Sequence, residues 1–534
     1  MKTTLRRTMA KTRRRRRTGS RTTAAPKSAD TGLIWLPEPK LLFGSDQAVE
    51  DPRDGLTLFG PLDKGRPYGI RAGVVATAAG IALFKRWLQW VQGPVQSIKA
   101  SIARPPFPGF EAAFRIPWDP KPALALEIPV DELAAHMYLD DRHQRIFETV
   151  KVYTDRIEKA LQSEETKPDV WFIVIPSDVW KYGRPKSTVA PALRQEALKH
   201  FTSVRQAKEH LTAPSLFEER NEAAEAYAYQ EHFRNQLKAR LLKHKVATQV
   251  VREPTLQNIL RPSDEGFKPT TAIVQPAIAW HLSTAAFYKP GGRPWKVAGV
   301  RDGVCYVGLV FKQEDRGGDP RNACCAAQMF LASGDGVVFK GAVGPWYSPD
   351  TGDFHVTTAA AHDLVLKAIK AYKDANNQTP PRELFLHGRV KFNWEEWRGF
   401  EQAAKATNTA VVGVRIRDAS AIKLYRWGDN PVLRGTALVQ DEHSAFLWTR
   451  GWTPRLQTYV GRGVPNPLSV DVTHGKAELR TVLQDVLALT KLNYNACLFG
   501  DGVPITLKFA DSVGEVLTAG PVAPDVPLPF MYYI

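Results

Sequence analysis

Four residues near the middle of the chain have the types and spacing to hold a terminal phosphate. Arg234 and Lys238 stand four apart in HFRNQLKARLLKHK. On a helix that spacing brings both side chains out on one face, roughly 5–6 Å apart at Cβ. Gln249 follows in the β-prone run VATQVV and adds an uncharged amide donor. Lys289 ends an apolar helix expected over Pro276–Tyr288 and leads into Pro-Gly-Gly, a favoured helix stop. Two cations, an amide and a second lysine at helix and strand ends would grip a phosphate through charge-assisted hydrogen bonds. The same spacing also fits a solvated basic helix that packs on Leu237, Leu241 and Leu242, and the residues alone leave both readings open.

No other constellation carries comparable chemistry. Cys305, Cys324, Cys325 and Cys497 form no CxxC pair and no zinc spacing, and adjacent Cys324-Cys325 read as small buried hydrophobes. The 12 histidines show no metal spacing, and no Ser/His/Asp or Cys/His nucleophilic site is indicated. The net charge is +17, but residues 1–29 hold eleven Lys and Arg and no acid, so 17 − 11 leaves +6 for the body. That is a mild preference for a polyanionic partner. Few cysteines, no leader with a long apolar core and no spanning run lead us to expect the cytoplasm. The longest apolar candidate, Gly73 to Phe84, is too short to cross a bilayer.

The elements that must position these residues are legible in outline. At 534 residues, with 43% hydrophobic and 24% charged content, the chain is long enough for several domains with ordinary globular cores. Residues 1–32 read as a disordered basic tail. ALALEIPV reads as a strand, Asp141–Leu161 as an amphipathic helix and WFIVIP as a buried strand, followed by a polar, aromatic-bearing loop, SDVWKYGRPKS. Residues 188–230 read as a helical, mixed-charge insertion. From Trp295 onward, GVCYVGLVFK, ACCAAQMFLAS and GVVFKGAV read as three consecutive strands. Then come a helix at Ala359–Asn376, the strand ELFLHGRV, a helix at Asn393–Ala406, the strands TAVVGVRI, SAFLWTRG and LQTYVGRG, a helix at Ala477–Leu489, and PITLKFADSVGEVL as strand or helix. Three strands followed by alternating helices and strands is an RNase H-like order.

The phosphate-binding quartet resembles the guide-end pocket in the MID domain of Argonaute proteins. There a helix with a Lys four residues after its first basic or aromatic position, a following Gln and a later Lys before Gly-Gly hold the guide's 5′ phosphate. The opening EPKLLFG…DPRDGL..FGP is similar to the start of the MID–PIWI half in short prokaryotic Argonautes. The resemblance implies an α/β fold with a Rossmann-like MID domain over 33–292 and an RNase H-like PIWI domain over 293–534. It implies guide 5′-phosphate contacts from Arg234, Lys238, Gln249 and Lys289, with the Arg234 guanidinium plane also able to stack on a base. By position it nominates Trp180, Tyr182 and Arg184 for the loop that surveys the first guide base. Through the C-terminal carboxylate of Ile534 it implies a divalent cation, Mg²⁺, at the guide phosphate.

An active PIWI nuclease needs about four carboxylates around two metal ions. The first of those positions falls on Leu309 or Val310, the one after the long helix on His387, and the last on Asp511; Glu314 and Asp315 follow the first strand in the wrong register. One carboxylate in three readable positions leads us to expect a cleft that holds a guide–target duplex without cutting it. Arg389, Lys391, Arg450, Arg455, Arg462 and Lys491 would track phosphates there, while base pairing reads sequence. The resemblance then implies a sensor subunit of a prokaryotic immune system. It would load a small 5′-phosphorylated guide RNA, recognise complementary plasmid or phage DNA, and activate an APAZ-domain effector protein. That partner would be a TIR or sirtuin-type NAD-degrading protein, or a nuclease, whose action stops growth or kills the cell. The alternatives are a guide-directed nuclease with displaced carboxylates and a nonspecific basic nucleic-acid-binding protein.

Overall fold

The computed structural model describes residues 32–534 except 64, 97–100, 164, 166, 199, 261–268, 300, 314–321, 332–335, 349–351, 462 and 522–526. Over 269–273, 310, 313, 322–326, 340–345 and 348 it describes the main chain alone. The expected basic tail therefore lies outside the described residues, as do the side chains of Cys324 and Cys325; Cys305 and Cys497 are buried free thiols.

A short first strand, β1 (Leu33–Trp35), belongs to the sheet of the second half. The first half is built on four parallel strands: β2 (Ala72–Ala76), β3 (Leu124–Glu127), β4 (Val170–Ile175) and β5 (Thr248–Arg252), in the order β3-β2-β4-β5. β2 and β4 are buried at every residue, as unbroken apolar runs are when helices cover both faces of a parallel sheet. Phe172 and Val174 face one layer with α1 (Ala78–Trp90), whose Phe84 ring lies 4.8 Å from Phe172; Trp171, Ile173 and Ile175 face the other with α2 (Arg142–Ser163) and α3 (Phe233–Leu241). Each large apolar side chain buried this way contributes about 1.5–3 kcal/mol. Thr77 caps α1 by accepting from the Gly80 N–H.

The second half opens with an antiparallel meander, β6 (Val304–Gln313), β7 (Asn322–Leu331) and β8 (Gly336–Pro345). After α4 of the first half (Pro269–Tyr288), helix α5 (Thr358–Ala375) carries the chain to β9 (Glu383–Gly388), parallel to β6. α6 (Trp394–Lys405) then leads to β10 (Ala410–Asp418), parallel to β9. Three antiparallel strands, β11 (Thr436–Val439), β12 (Ser444–Leu447) and β13 (Leu468–His474), extend the sheet, followed by α7 (Leu479–Leu489), α8 (Ala510–Leu517) and the edge strand β14 (Leu528–Pro529). The order across all ten strands is β1-β11-β12-β13-β10-β9-β6-β7-β8-β14. The expected RNase H-like succession is present in this sheet.

The two halves share one core. A single cluster of buried residues runs from Leu36 to Ile534. The opening segment stitches across it: Glu38 accepts from Arg434 Nε at 2.8 Å and from Lys491 Nζ at 2.7 Å. Among the described residues, no helix is long and apolar enough to cross a membrane.

Local expectations differ at several points. Ser177–Tyr182 is a helix, not a loop. LQTYVGRG is not a strand: Pro454–Leu456 forms a 3-10 turn closed by a Thr453–Thr458 bridge, and Gly463 has φ +72°. The strand at that place is LSVDVTH, whose Val470 and Val472 are buried. PITLKFADSVGEVL resolves into two helices, Ile505–Lys508 and α8.

Candidate functional site

The structure brings Arg234, Lys238, Gln249 and Lys289 together. α3 packs through Phe233, Leu237 and Leu241, a spacing of four that turns one stripe to the core. Asn235, Gln236 and Lys238 are buried as well, so this helix is enclosed on nearly every side. A fully enclosed lysine is rare without a carboxylate partner. Helix α3 tightens into a 3-10 turn and stops at Lys245 in the left-handed region, which delivers the chain to β5 alongside β4. α4 ends at Tyr288; Gly291 and Gly292 N–H donate back to the Tyr288 and Phe287 carbonyls, with Gly291 at φ +100°. That stop fixes Lys289 beside Gln249.

Lys238 Nζ donates to the Ile534 main-chain oxygen at 2.6 Å, to Thr248 Oγ1 at 3.1 Å and to the Thr248 carbonyl at 3.3 Å. Lys289 Nζ donates to the Thr248 carbonyl at 2.6 Å, Gln249 Oε1 at 2.8 Å and the Ile534 oxygen at 2.8 Å. Arg234 Nη2 reaches the Tyr533 carbonyl at 3.4 Å. Lys238 and Lys289 are only 2% and 1% exposed. Among the described residues no carboxylate side chain hydrogen-bonds to any of the three. Glu515, whose charge acts on Arg234, itself accepts from Asn235 and Lys312.

The electrostatics follow from that imbalance. Burial, then Lys289 and Arg234, push the Lys238 ammonium well below the usual lysine range. Burial and Arg234 do the same to Lys289, and burial lowers Arg234. Two enclosed lysines and a half-buried arginine that share main-chain, hydroxyl and amide oxygens form a strong anion receptor. One Ile534 oxygen sits between the two Nζ groups.

Next to the receptor, Trp180, Gly183, Arg184, His232, Arg234 and Val250 border a small hollow. Arg184 lies 3.8 Å over the half-buried Trp180 ring, and Arg252 approaches the same ring at 5.0 Å. Tyr182 does not join them: helix formation at 177–182 turns its ring inward, 2% exposed, 5.9 Å from Tyr138. His232 and Arg252 were not read from the sequence. The His232 ring is pushed down in pKa by burial and the adjacent Arg234 and Arg184, and its Nδ1 is buried without a partner. Nothing in the local sequence distinguishes either residue from ordinary surface charge.

The positions read as those of PIWI catalytic acids fall on the adjoining elements β6, β9 and α8. His387, on β9 beside Gly308 of β6, is buried, and its Nδ1 pairs with Thr506 Oγ1 at 2.9 Å. Burial lowers its pKa to about 3, so the ring is neutral. The Val310 side chain, Glu314 and Asp315 lie outside the described residues. Asp511 is exposed in the first turn of α8 and meets Arg389 at 3.4 Å. Among the described residues, no three His, Cys, Asp or Glu side chains gather to hold a metal ion. Of the expected phosphate-tracking cations, Arg389, Lys391 and Arg450 are exposed, Arg455 pairs with Asp54, and Arg462 lies outside the described residues. Lys491 is a correction: Glu38 draws it into the core, 1% exposed and 3.9 Å over Phe499.

No protein-family model matches the sequence, and no curated protein matches it. The fold, in contrast, is similar to solved Argonaute structures. Clostridium butyricum Argonaute bound to a guide DNA and a 19-mer target DNA aligns at TM-score 0.63 and 14% identity, over 94% of this chain and 55% of that one. Aquifex aeolicus Argonaute aligns at TM-score 0.51 and 12% identity, over 95% of this chain and 57% of that one. Aa-Ago with externally bound siRNA aligns at 0.52 and 12%, over 94% and 56%. The chain thus spans little more than half the length of these structures, and the likeness fixes its mixed α/β, MID–PIWI-like fold.

Proposed function

We propose that this chain binds a short 5′-phosphorylated guide strand, uses it to recognise a complementary strand, and signals rather than cuts. The observation that carries this is the receptor of the enclosed Lys238 and Lys289 with the half-buried Arg234, which hydrogen-bond to no carboxylate side chain among the described residues. A terminal phosphate brings two negative charges and three acceptor oxygens, enough to replace the main-chain oxygens of Tyr533 and Ile534 on these donors. Gln249 then positions a further phosphate oxygen, and the exposed Arg184 guanidinium over Trp180 offers a plane on which the first base stacks. Watson–Crick pairing reads the rest of the sequence, while exposed cations such as Arg389, Lys391 and Arg450 follow phosphates without reading bases.

The finer reading is a short prokaryotic Argonaute with an inactive PIWI domain, loaded with guide RNA and directed at invading plasmid or phage DNA. It works in the cytoplasm with an APAZ-domain effector, either NAD-degrading or a nuclease, whose activation arrests the cell. One feature supports it: an exposed Asp511 paired with Arg389 and a neutral, buried His387 stand at two of the acid positions. Magnesium at the guide phosphate, on the terminal carboxylate of Ile534, belongs to the same reading. Recovering and sequencing the nucleic acid that copurifies with the protein tests the proposal. Short RNAs of one length class with 5′ phosphates are the expected result; random fragments with mixed ends would overturn it.

A further inference from the structure

We infer that the carboxyl ends of β9 and β10 form a stacking platform for an unpaired nucleic-acid strand, carried by Trp394, Tyr425 and Trp427. This inference rests on the nucleic-acid reading above. β9 and β10 are parallel neighbours, with Gly388 opposite Arg415, so the segments that leave them emerge at the same end of the sheet. The first segment carries Arg389, Lys391 and then Trp394, held at the first turn of α6 by the Asn393–Glu396 capping box. The second, which begins after Asp418, carries Lys423, Tyr425, Arg426 and Trp427. Trp427 is 100% exposed, Tyr425 75% and Trp394 69%. Aromatic rings this large normally bury most of their surface, so three of them bare at one sheet end call for a ligand.

The chemistry favours a single strand over a protein surface. Lys391, Lys423 and Arg426 are interspersed with the rings, with Arg389 beside them on Asp511, against Glu395, Asp418 and Asp429 as further acids of these segments. A protein partner's apolar patch would leave those cations to be desolvated, whereas a phosphate backbone pairs with them. A duplex hides its base faces, and only unpaired bases offer a π-face to Trp427. The carboxyl ends of parallel strands are also where open α/β sheets bind ligands. The strand is either the far part of the guide or the flank of the target; both present the same unpaired bases and phosphates.

The test is photocrosslinking with an oligothymidylate that carries 5-iodouracil and lacks a 5′ phosphate, followed by peptide mapping. Crosslinks should map to Trp394, Tyr425 or Trp427. The Tyr425→Ala, Trp427→Ala double variant should bind this strand about tenfold more weakly, Trp427→Phe should retain most of the affinity, and binding of a blunt duplex should not change. A guide–target duplex with either the guide end or the target end left unpaired then identifies which strand occupies the platform. Crosslinks confined to other segments, or equal affinity of the double variant and wild type, would overturn the inference. The probe has no 5′ phosphate, so failure of the Lys238–Lys289 receptor leaves this result intact and the two failures are separable.

Discussion

Lys238 and Lys289, from two different helices, donate to the same two main-chain oxygens, those of Thr248 and Ile534. Thr248 offers only a dipole and the Ile534 end group a single carboxylate, so Lys238, Lys289 and Arg234 outnumber the negative charge in a place where burial disfavours their charged forms. A site built this way is costly when empty and strong when an anion arrives. That trade-off organises the predictions.

Lys238→Met removes an enclosed, unbalanced cation and keeps the volume of the side chain. The free protein should become more stable, by about 1 kcal/mol or more, because one of three mutually repelling cations has left the buried cluster. Affinity for a 5′-phosphorylated strand should fall, since each lost charged hydrogen bond to phosphate costs roughly 1.5–3 kcal/mol. Chemical denaturation and a binding titration on the same variant check both halves. A variant that is less stable and binds unchanged would contradict the account.

The depressed lysines also predict a proton linkage. Their folded values lie below the unfolded ones, so the folded protein holds fewer protons in the window between them, and the free protein loses stability as pH falls through that window. Phosphate restores the charged form, so binding there should draw protons from the buffer. Calorimetry in buffers of differing ionisation enthalpy reads this directly, as a buffer-dependent binding enthalpy. Identical enthalpies in all buffers would show that the lysines are already fully charged.

A second pH effect has the opposite sign. His355 Nδ1 meets Glu396, 1% exposed, at 2.8 Å, and that hydrogen bond raises the His355 pKa, with Asp353 adding to the attraction. The contribution is full below the ordinary histidine value of about 6.5 and is lost as pH rises through the raised folded value. His355→Asn should therefore lower Tm more at pH about 5.5 than at pH about 9. Equal losses at the two pH values would remove the ion pair from the account.

Gly308 sits where β6 passes the helix at Ile505–Lys508, and a Cβ there would collide with the Thr506 main-chain oxygen. Gly308→Ala should destabilise the protein by about 1–3 kcal/mol, since backbone must move to admit it. Asp511→Ala, at an exposed site, should stay within about 0.5 kcal/mol of wild type. Urea denaturation of the two variants checks the contrast, and a stable Gly308→Ala would mean that the helix is looser than it is drawn.

What the sequence made legible depended on how local the cause was. The spacing of four on one helix and the glycine stop placed Lys238 and Lys289 at element ends, while their phosphate role was legible only through the resemblance. The burial of Lys491 was not legible, because the Glu38 that buries it lies 453 residues away. Tyr182 looked like loop surface until helix formation turned it inward. LQTYVGRG carries strand-like apolar residues, but Gly463 in a left-handed conformation breaks the pattern. Trp427 and Tyr425 are indistinguishable in sequence from core aromatics; only the parallel register of β9 and β10 places them in the open.

The most direct measurement compares affinities for one oligonucleotide with a 5′ phosphate and with a 5′ hydroxyl, in wild type and in Lys238→Ala, Lys289→Ala. Wild type should prefer the phosphate by a hundredfold or more, on the order of two charged hydrogen bonds, and the double variant should bind both ends alike. Equal binding of the two oligonucleotides by wild type, or an undiminished preference in the variant, would contradict the assignment of these lysines to a terminal phosphate.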